Sequence, residues 1–272
     1  MPSARRLARA VRRRGLPRTS RAGLVRNEIA RRVRPRPAYA LPFGHATVYL
    51  SRDDYEIDWA SFAFVAVDDA YAGDYHGAAV VDIGAHKGYY GAYALAHGAR
   101  SVVSYEPEAA NFALLERAAA GVRARRGEWQ TRKCAVGADA GEAEIHVMGA
   151  SWGHALHPPD EFAVHAVGVE RVRIEALGDV LAAATGEADD ARVIVKINIE
   201  GEECPAILGT PPSAWDGIEE VYVETHPWAT CGSDELARYF ERAGFSRGAT
   251  AHPAVLRLRR EAPRSAPRTR PT

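Results

Sequence analysis

Residues 78–88, AAVVDIGAHKG, carry an apolar run interrupted only by Asp82 into a turn with two glycines, which opens a helical pattern. The run reads as a buried strand, and in the following segment Tyr90, Tyr93, Ala94 and His97 recur at helical spacing up to Gly98. A strand buried on both faces belongs in a sheet of parallel neighbours, and parallel neighbours need helical crossovers. The chain continues in that alternation. SVVSYEP (101–107) reads as a second strand, and NFALLERAAAG as a helix ended by Gly121. TRKCAVG (131–137) reads as a third strand, with AEIHVMG (143–149) a hairpin or edge strand. ARVIVKINIE (191–200), a short helix EECPAILG capped by Gly209, EEVYVETHP (219–227), a helix near 233–244, and a closing pair around FSRGATAH and AVLRLRR complete the series. The pattern predicts an α/β fold: a seven-stranded, mostly parallel sheet with helices on both faces and the last strand antiparallel.

A strand ending in a glycine turn lets backbone approach a ligand, and the helix N-terminus beyond it offers unpaired N–H groups. Asp82-Ile83-Gly84-Ala85-His86-Lys87-Gly88 departs from the dinucleotide pattern, because His86 stands where a second glycine would admit a pyrophosphate. An acid at the strand end suits a ligand bearing a cation or an amine, a description S-adenosylmethionine (SAM) meets. Glu106 closes the second strand, where a carboxylate can accept both hydroxyls of a ribose.

The blocks VVDIGAHKG, SYEPEAANFALL, KCAVGADAGEAEIHV and VKINIEGEECPAILG resemble, in order and spacing, those of the FkbM family of SAM-dependent methyltransferases, from about residue 78 to about 230. The resemblance implies a class I methyltransferase, Rossmann-like fold, and methyl transfer from SAM to a hydroxyl oxygen of a small molecule, sugar or natural product. It further implies that Asp82, Gly84, Ala85, His86 and Gly88 line the methionine and ribose portions of the cofactor, that Glu106 holds the ribose, and that Cys134 and Ala135 lie beside the adenine. The family block KIDVEG reads here Lys196-Ile197-Asn198-Ile199-Glu200-Gly201. Asn198 keeps the shape of an aspartate but cannot act as a base and is a weaker metal ligand, so no metal site is expected, a divalent ion on Asn198, Glu200 and Glu224 being the less favoured alternative.

Alternation places Lys196, Asn198 and Glu200 on one strand face, with Glu224 and His226 at the end of the next strand. These side chains are the expected catalytic group. His226, with an ordinary pKa of about 6.5, is the expected general base, oriented by Glu224 or Glu200. His154, His157 and His165 fall in one loop without a recognisable zinc spacing, and Trp152 and His154 are expected to contact substrate.

Charge divides the chain. Residues 1–36 hold thirteen Arg and one acid, residues 257–272 hold six Arg and one Glu, and the 220 residues between carry a net charge of −17. The expected organisation is a disordered, solvated Arg-rich arm (1–36), a methyltransferase domain (37–260) and a disordered tail (261–272). An acidic body disfavours nucleic acid as a partner. Leu7, Val11 and Leu16 form a sparse apolar stripe through which the arm could touch an anionic surface. The three cysteines form no CxxC pair, which suggests no disulfide and fits a reducing cytoplasm. Two other functions fit the same features: a non-catalytic SAM-binding module or scaffold, and an RNA or protein methyltransferase docking through its basic tails. The acceptor's identity and the oligomeric state are not encoded in any motif.

Overall fold

The computed structural model describes residues 16–123, 128–151 and 153–260. Helix α1 (Arg18–Val33) lies on a hairpin of β1 (Ala38–Phe43) and β2 (Ala46–Ser51), and α2 (Tyr55–Ala66) leads to the first central strand. The chain then alternates β3 (Ala79–Ile83), α3 (Tyr89–Ala96), β4 (Ser101–Tyr105), α4 (Ala109–Arg123) and β5 (Glu128–Arg132). An excursion follows through β6 (Ala135–Gly137), β7 (Gly141–Met148), the short α5 (Asp160–Ala163) and β8 (Ala166–Ala176). The chain returns by α6 (Leu177–Glu187), β9 (Val193–Ile197), α7 (Glu203–Gly209), β10 (Ile218–Glu224), α8 (Ser233–Arg242), β11 (Phe245–Arg247) and β12 (Val255–Arg260).

The central sheet has the order β11-β12-β10-β9-β3-β4-β5. The last strand, β12, is antiparallel to both neighbours and every other pairing among β3, β4, β5, β9 and β10 is parallel. This is the expected sheet. The chain leaves β3 toward β4 and β5, then returns to β9 and β10 on the other side, so the carboxyl ends of β3 and β9 frame the switch point where open α/β sheets bind ligands.

Because side chains alternate across a strand, each strand feeds two cores. Val80, Val102 and Ile194 pack with α2, α3 and α4 on one face, and Val81, Ile83, Val195 and Val221 with α6, α7 and α8 on the other. Burying one such side chain contributes about 1.5–3 kcal/mol, so a polar residue on these strands must be partnered. Asp82 and Lys196 are such a pair.

Several local expectations change. The third central strand is Glu128–Arg132, while 135–137 leaves the sheet to pair with β8. The strand β8, unmarked by any strong alternation, completes a second sheet in the order β6-β8-β7. Gly121 lies inside α4 rather than at its end. Part of the expected solvated arm is folded: Leu16 is buried and α1 packs Ser20, Gly23, Leu24 and Asn27 against β1. Composition missed this because most of that buried face is small or polar, with Ser20 Oγ donating to Pro42 O and Asn27 Nδ2 to Ala40 O. Leu7 and Val11 of the expected stripe, and the tail beyond Arg260, lie outside the described residues.

Cys204 and Cys231 form a disulfide, contrary to expectation. They are 27 positions apart, but α7 and the loop after β10 follow neighbouring strands and meet. The bond removes the ground on which a reducing compartment was read. Among the described residues, no helix is long and apolar enough to cross a membrane.

Candidate active site

A cavity of about 620 Å³ opens at the carboxyl ends of β3, β4, β9 and β10. At one end lies the glycine turn. Gly84 has φ +73°, and a Cβ there would stand 1.6 Å from Asn198 O, so only glycine lets the two loops close. The amides of Gly84 and Ala85 both donate to Tyr105 O, at 3.0 and 2.9 Å, tying the turn to the end of β4. His86 follows with φ +53°, which turns its amide toward Glu106 Oε2 at 2.8 Å.

Glu106 is buried, and its other oxygen accepts the Glu108 amide at 3.0 Å. Burial pushes its carboxyl up to about 8, against the pull of these two backbone donors. A carboxylate has about four acceptor positions, so two remain for a ligand's hydroxyls. Beyond it, Tyr105, Cys134, Ala135, Val136, Ile145 and Leu156 make an apolar wall. Burial raises the Cys134 thiol to about 11, so it packs as an uncharged group.

Two residues expected to face the cofactor do not line the cavity. Asp82 is fully buried, with Lys196 Nζ 3.1 Å from Oδ1 and Ser104 Oγ donating to Oδ2 at 3.3 Å. Lys196 is its register partner on β9, so the carboxylate is satisfied inside the sheet. Lys196 Nζ also donates to Gly84 O at 2.6 Å, which places the turn without touching a ligand through Asp82. Gly88, at φ +83°, makes room for Leu115 and Trp129 behind α3.

The sequence reading missed Lys87. Its ammonium is buried, 2.5 Å from Asp58 Oδ1 and within hydrogen-bonding distance of Ser151 Oγ (3.0 Å) and Ser51 Oγ (3.3 Å). Asp58 belongs to α2 and also accepts the Ser51 amide at 2.5 Å, so the N-terminal hairpin and helix clasp the glycine turn. A buried basic residue within a ligand-binding turn was the available signal, but its partner lies 29 positions upstream. His86 sits beside it. Burial, reinforced by the Lys87 charge, holds the His86 imidazole well below its ordinary pKa and therefore neutral.

At the other end of the cavity β9 stops at Ile197, and Glu200 sits in a turn with φ +55°, so alternation does not carry through to it. The expected catalytic group splits in two. Glu224 Oε2 accepts from Asn198 Nδ2 at 2.9 Å and from Tyr71 OH at 2.6 Å. With its amide nitrogen committed to that carboxylate, Asn198 leaves Oδ1 buried without a partner. The second set centres on His226, whose Nε2 is 3.5 Å from Glu200 Oε2 and whose Nδ1 is 3.1 Å from Glu203 Oε1.

Burial alone would lower the His226 pKa, but the two carboxylates overcome it and push it up to about 10. This favours the protonated ring at neutral pH, a form without the free lone pair that the expected base needs. Burial also raises the pKa of Glu200. Glu203 in turn accepts the Ile199 and Gly201 amides, at 2.8 and 2.9 Å, which fixes the ring's anchor.

The three loop histidines do not converge. His154 lines the cavity, its Nδ1 accepting the Met148 amide at 2.9 Å. His157 is exposed against Glu202, and His165 is exposed. Trp152 lies outside the described residues. Among the described residues, no three His, Cys, Asp or Glu are grouped to hold a metal ion.

The site fits a nucleoside bearing an amino-acid arm. Glu106 supplies acceptors at a strand end, and the glycine turn admits close backbone approach.

The model of the Methyltransferase FkbM domain matches residues 82–247, more than half the chain. No curated protein matches. Similar solved structures include the methyltransferase FkbM of Methylobacillus flagellatus KT, with 16% identity and TM-score 0.45, covering 69% of this chain and 44% of that one. The magnesium protoporphyrin IX methyltransferase ChlM of Synechocystis PCC 6803 has 12% identity and TM-score 0.42, covering 77% of this chain and 86% of that one. The ribosomal protein L11 methylase of Lactobacillus delbrueckii subsp. bulgaricus has 12% identity and TM-score 0.40, covering 76% and 80%. On the domain match, this chain belongs to the FkbM methyltransferase family.

Proposed function

We propose that the chain uses SAM to methylate a hydroxyl oxygen of a small, uncharged acceptor. The observation that carries this reading is Glu106, a buried carboxylate at the end of β4 held by backbone amides rather than by a cation. When bound, SAM supplies an electrophilic methyl group on a sulfonium, so the chain's task is alignment and exclusion of water.

Glu106 accepts the ribose hydroxyls, and the wall containing Cys134 and Ala135 covers the adenine. Asn198 Oδ1 accepts a hydrogen bond from a second polar hydrogen of the acceptor, beside the reacting hydroxyl. Glu224, steadied by Tyr71 and Asn198, takes the hydroxyl proton as the oxygen becomes a nucleophile. His226 replaces its expected role as base with that of a fixed cation, holding Glu200 in the cavity wall. Acceptor entry is framed by Ile57, Ala60, Phe64 and Trp228, an apolar and aromatic rim. Glu56, Glu200, Glu202 and Glu224 also line the cavity, which disfavours a phosphorylated acceptor.

Incubation with SAM and a panel of hydroxylated compounds, followed by mass spectrometry, tests the reading. The expected product carries one added methyl on oxygen, and Glu224→Gln is expected to lower kcat about 100-fold with donor affinity retained. Donor binding without turnover on any hydroxylated compound would identify a non-catalytic module instead.

A further inference from the structure

Helix α1 is amphipathic in the wrong sense for a helix that packs only against its own protein. Toward β1 it presents Ser20, Gly23 and Asn27 along with Leu24. Toward solvent it presents Val25, Ile29 and Val33, which are 44%, 59% and 78% exposed. Their spacing of four residues places them on one stripe, and Ala22 extends it. Exposed Arg18, Arg26 and Arg32 border the stripe. Arg31, on the inner side, is tied to Glu56 of α2 at 3.2 Å, and Glu56 lines the cavity.

We propose that this face of α1 docks on an anionic lipid surface, with Val25, Ile29 and Val33 inserted at the headgroup boundary and the arginines on lipid phosphates. Charge supports a lipid over other occupants. Residues 1–36 carry a net +12 against −17 for the 220 residues that follow, so an anionic bilayer attracts this end and repels the acidic body, which orients the molecule. Nucleic acid would use the arginines, but aliphatic side chains offer it no stacking surface. A second copy of the chain would have to bring two such basic faces together. The stripe expected from sequence at Leu7, Val11 and Leu16 does not serve, because Leu16 is buried in the core.

The test is cosedimentation of the full chain with phosphatidylcholine vesicles prepared with and without phosphatidylglycerol. Binding is expected on the anionic vesicles, weakening with salt, and absent on phosphatidylcholine alone. The variant V25N/I29N/V33N is expected to lose at least about tenfold in partitioning with an unchanged melting temperature, and I29N alone a smaller part of it. R18Q/R32Q is expected to lose about fivefold per arginine. Failure of the wild-type chain to bind anionic vesicles at low salt would overturn the proposal. So would equal binding by V25N/I29N/V33N, which would leave only a diffuse charge effect, or a change of oligomeric state in that variant, which would assign the face to a second copy.

Discussion

The two ends of the cavity bury acids by different means. Glu106 is held by the His86 and Glu108 amides, donors whose positions are set by the backbone itself. Glu200 and Glu203 instead surround the His226 ring, a cation that can lose its proton. On the proposed reading the Glu106 end is the donor end, where ribose hydroxyls would complete an unfinished set of hydrogen bonds. The charge state of the acceptor end depends on three coupled side chains, and its shape depends on the disulfide that pins their loop.

Beneath both ends the Asp82–Lys196 pair shows a third arrangement, a buried acid matched directly by a cation. Lys196→Met should have the largest effect, destabilising the chain by about 3–5 kcal/mol because Asp82 is left charged and unpaired. Asp82→Asn in the same background should recover much of that loss in chemical denaturation. If the double variant were no more stable than the single one, the ion pair would not be the reason for the loss.

The separateness of the two ends is tested by the disulfide. Cys231→Ser opens a loop closed over 27 positions and should lower stability by about 3.5 kcal/mol on the chain-entropy account. Affinity for the donor should stay within about twofold, since the hydrogen bonds of Glu106 and the glycine turn lie outside that loop, which meets the apolar wall only where α7 packs on β6. A joint loss of stability and donor affinity would show that the ends are mechanically one.

His226 provides the next test. Its folded pKa of about 10 lies above the ordinary 6.5, so its stabilising contribution is complete below pH 6.5 and disappears as pH rises through about 10. His226→Asn should remove alkaline-dependent stability on the order of 2 kcal/mol, the burial of Glu200 offsetting the remainder. Thermal unfolding across that window, compared between wild type and variant, measures it. Titration of Glu106 should produce the smallest effect, a rise in donor affinity of about threefold as pH passes through about 8 and the carboxylate forms, absent in Glu106→Gln.

The same contrast explains what was legible in the sequence. The donor end is assembled from contiguous segments, a strand, a glycine turn and the acid closing the next strand, so Gly84, His86 and Glu106 could be placed from local pattern alone. Strands β3, β4, β9 and β10 followed from apolar runs, whereas β5 lies upstream of its expected place and β1, β2 and β8 were missed. What was not legible depended on register or on distant partners. Asp82 resembles a ligand until its alignment with Lys196 is known. Lys87 has no visible partner without Asp58, and His226 looks like an ordinary titrating base without Glu203. The disulfide carries no spacing signature, and α1 was misread because polar contacts seat it and its aliphatic residues face outward.

Calorimetric titration with S-adenosylhomocysteine, run side by side on wild type and Glu106→Gln, tests the donor end most directly. The account predicts one site per chain in the wild type. It predicts about thirtyfold weaker binding in the variant, about 2 kcal/mol, because one of the two acceptor oxygens becomes an NH2 that faces a donor, with the fold retained. A folded wild-type chain that produces no binding heat and no thermal stabilisation by this ligand, or a variant that binds it equally well, would contradict the account.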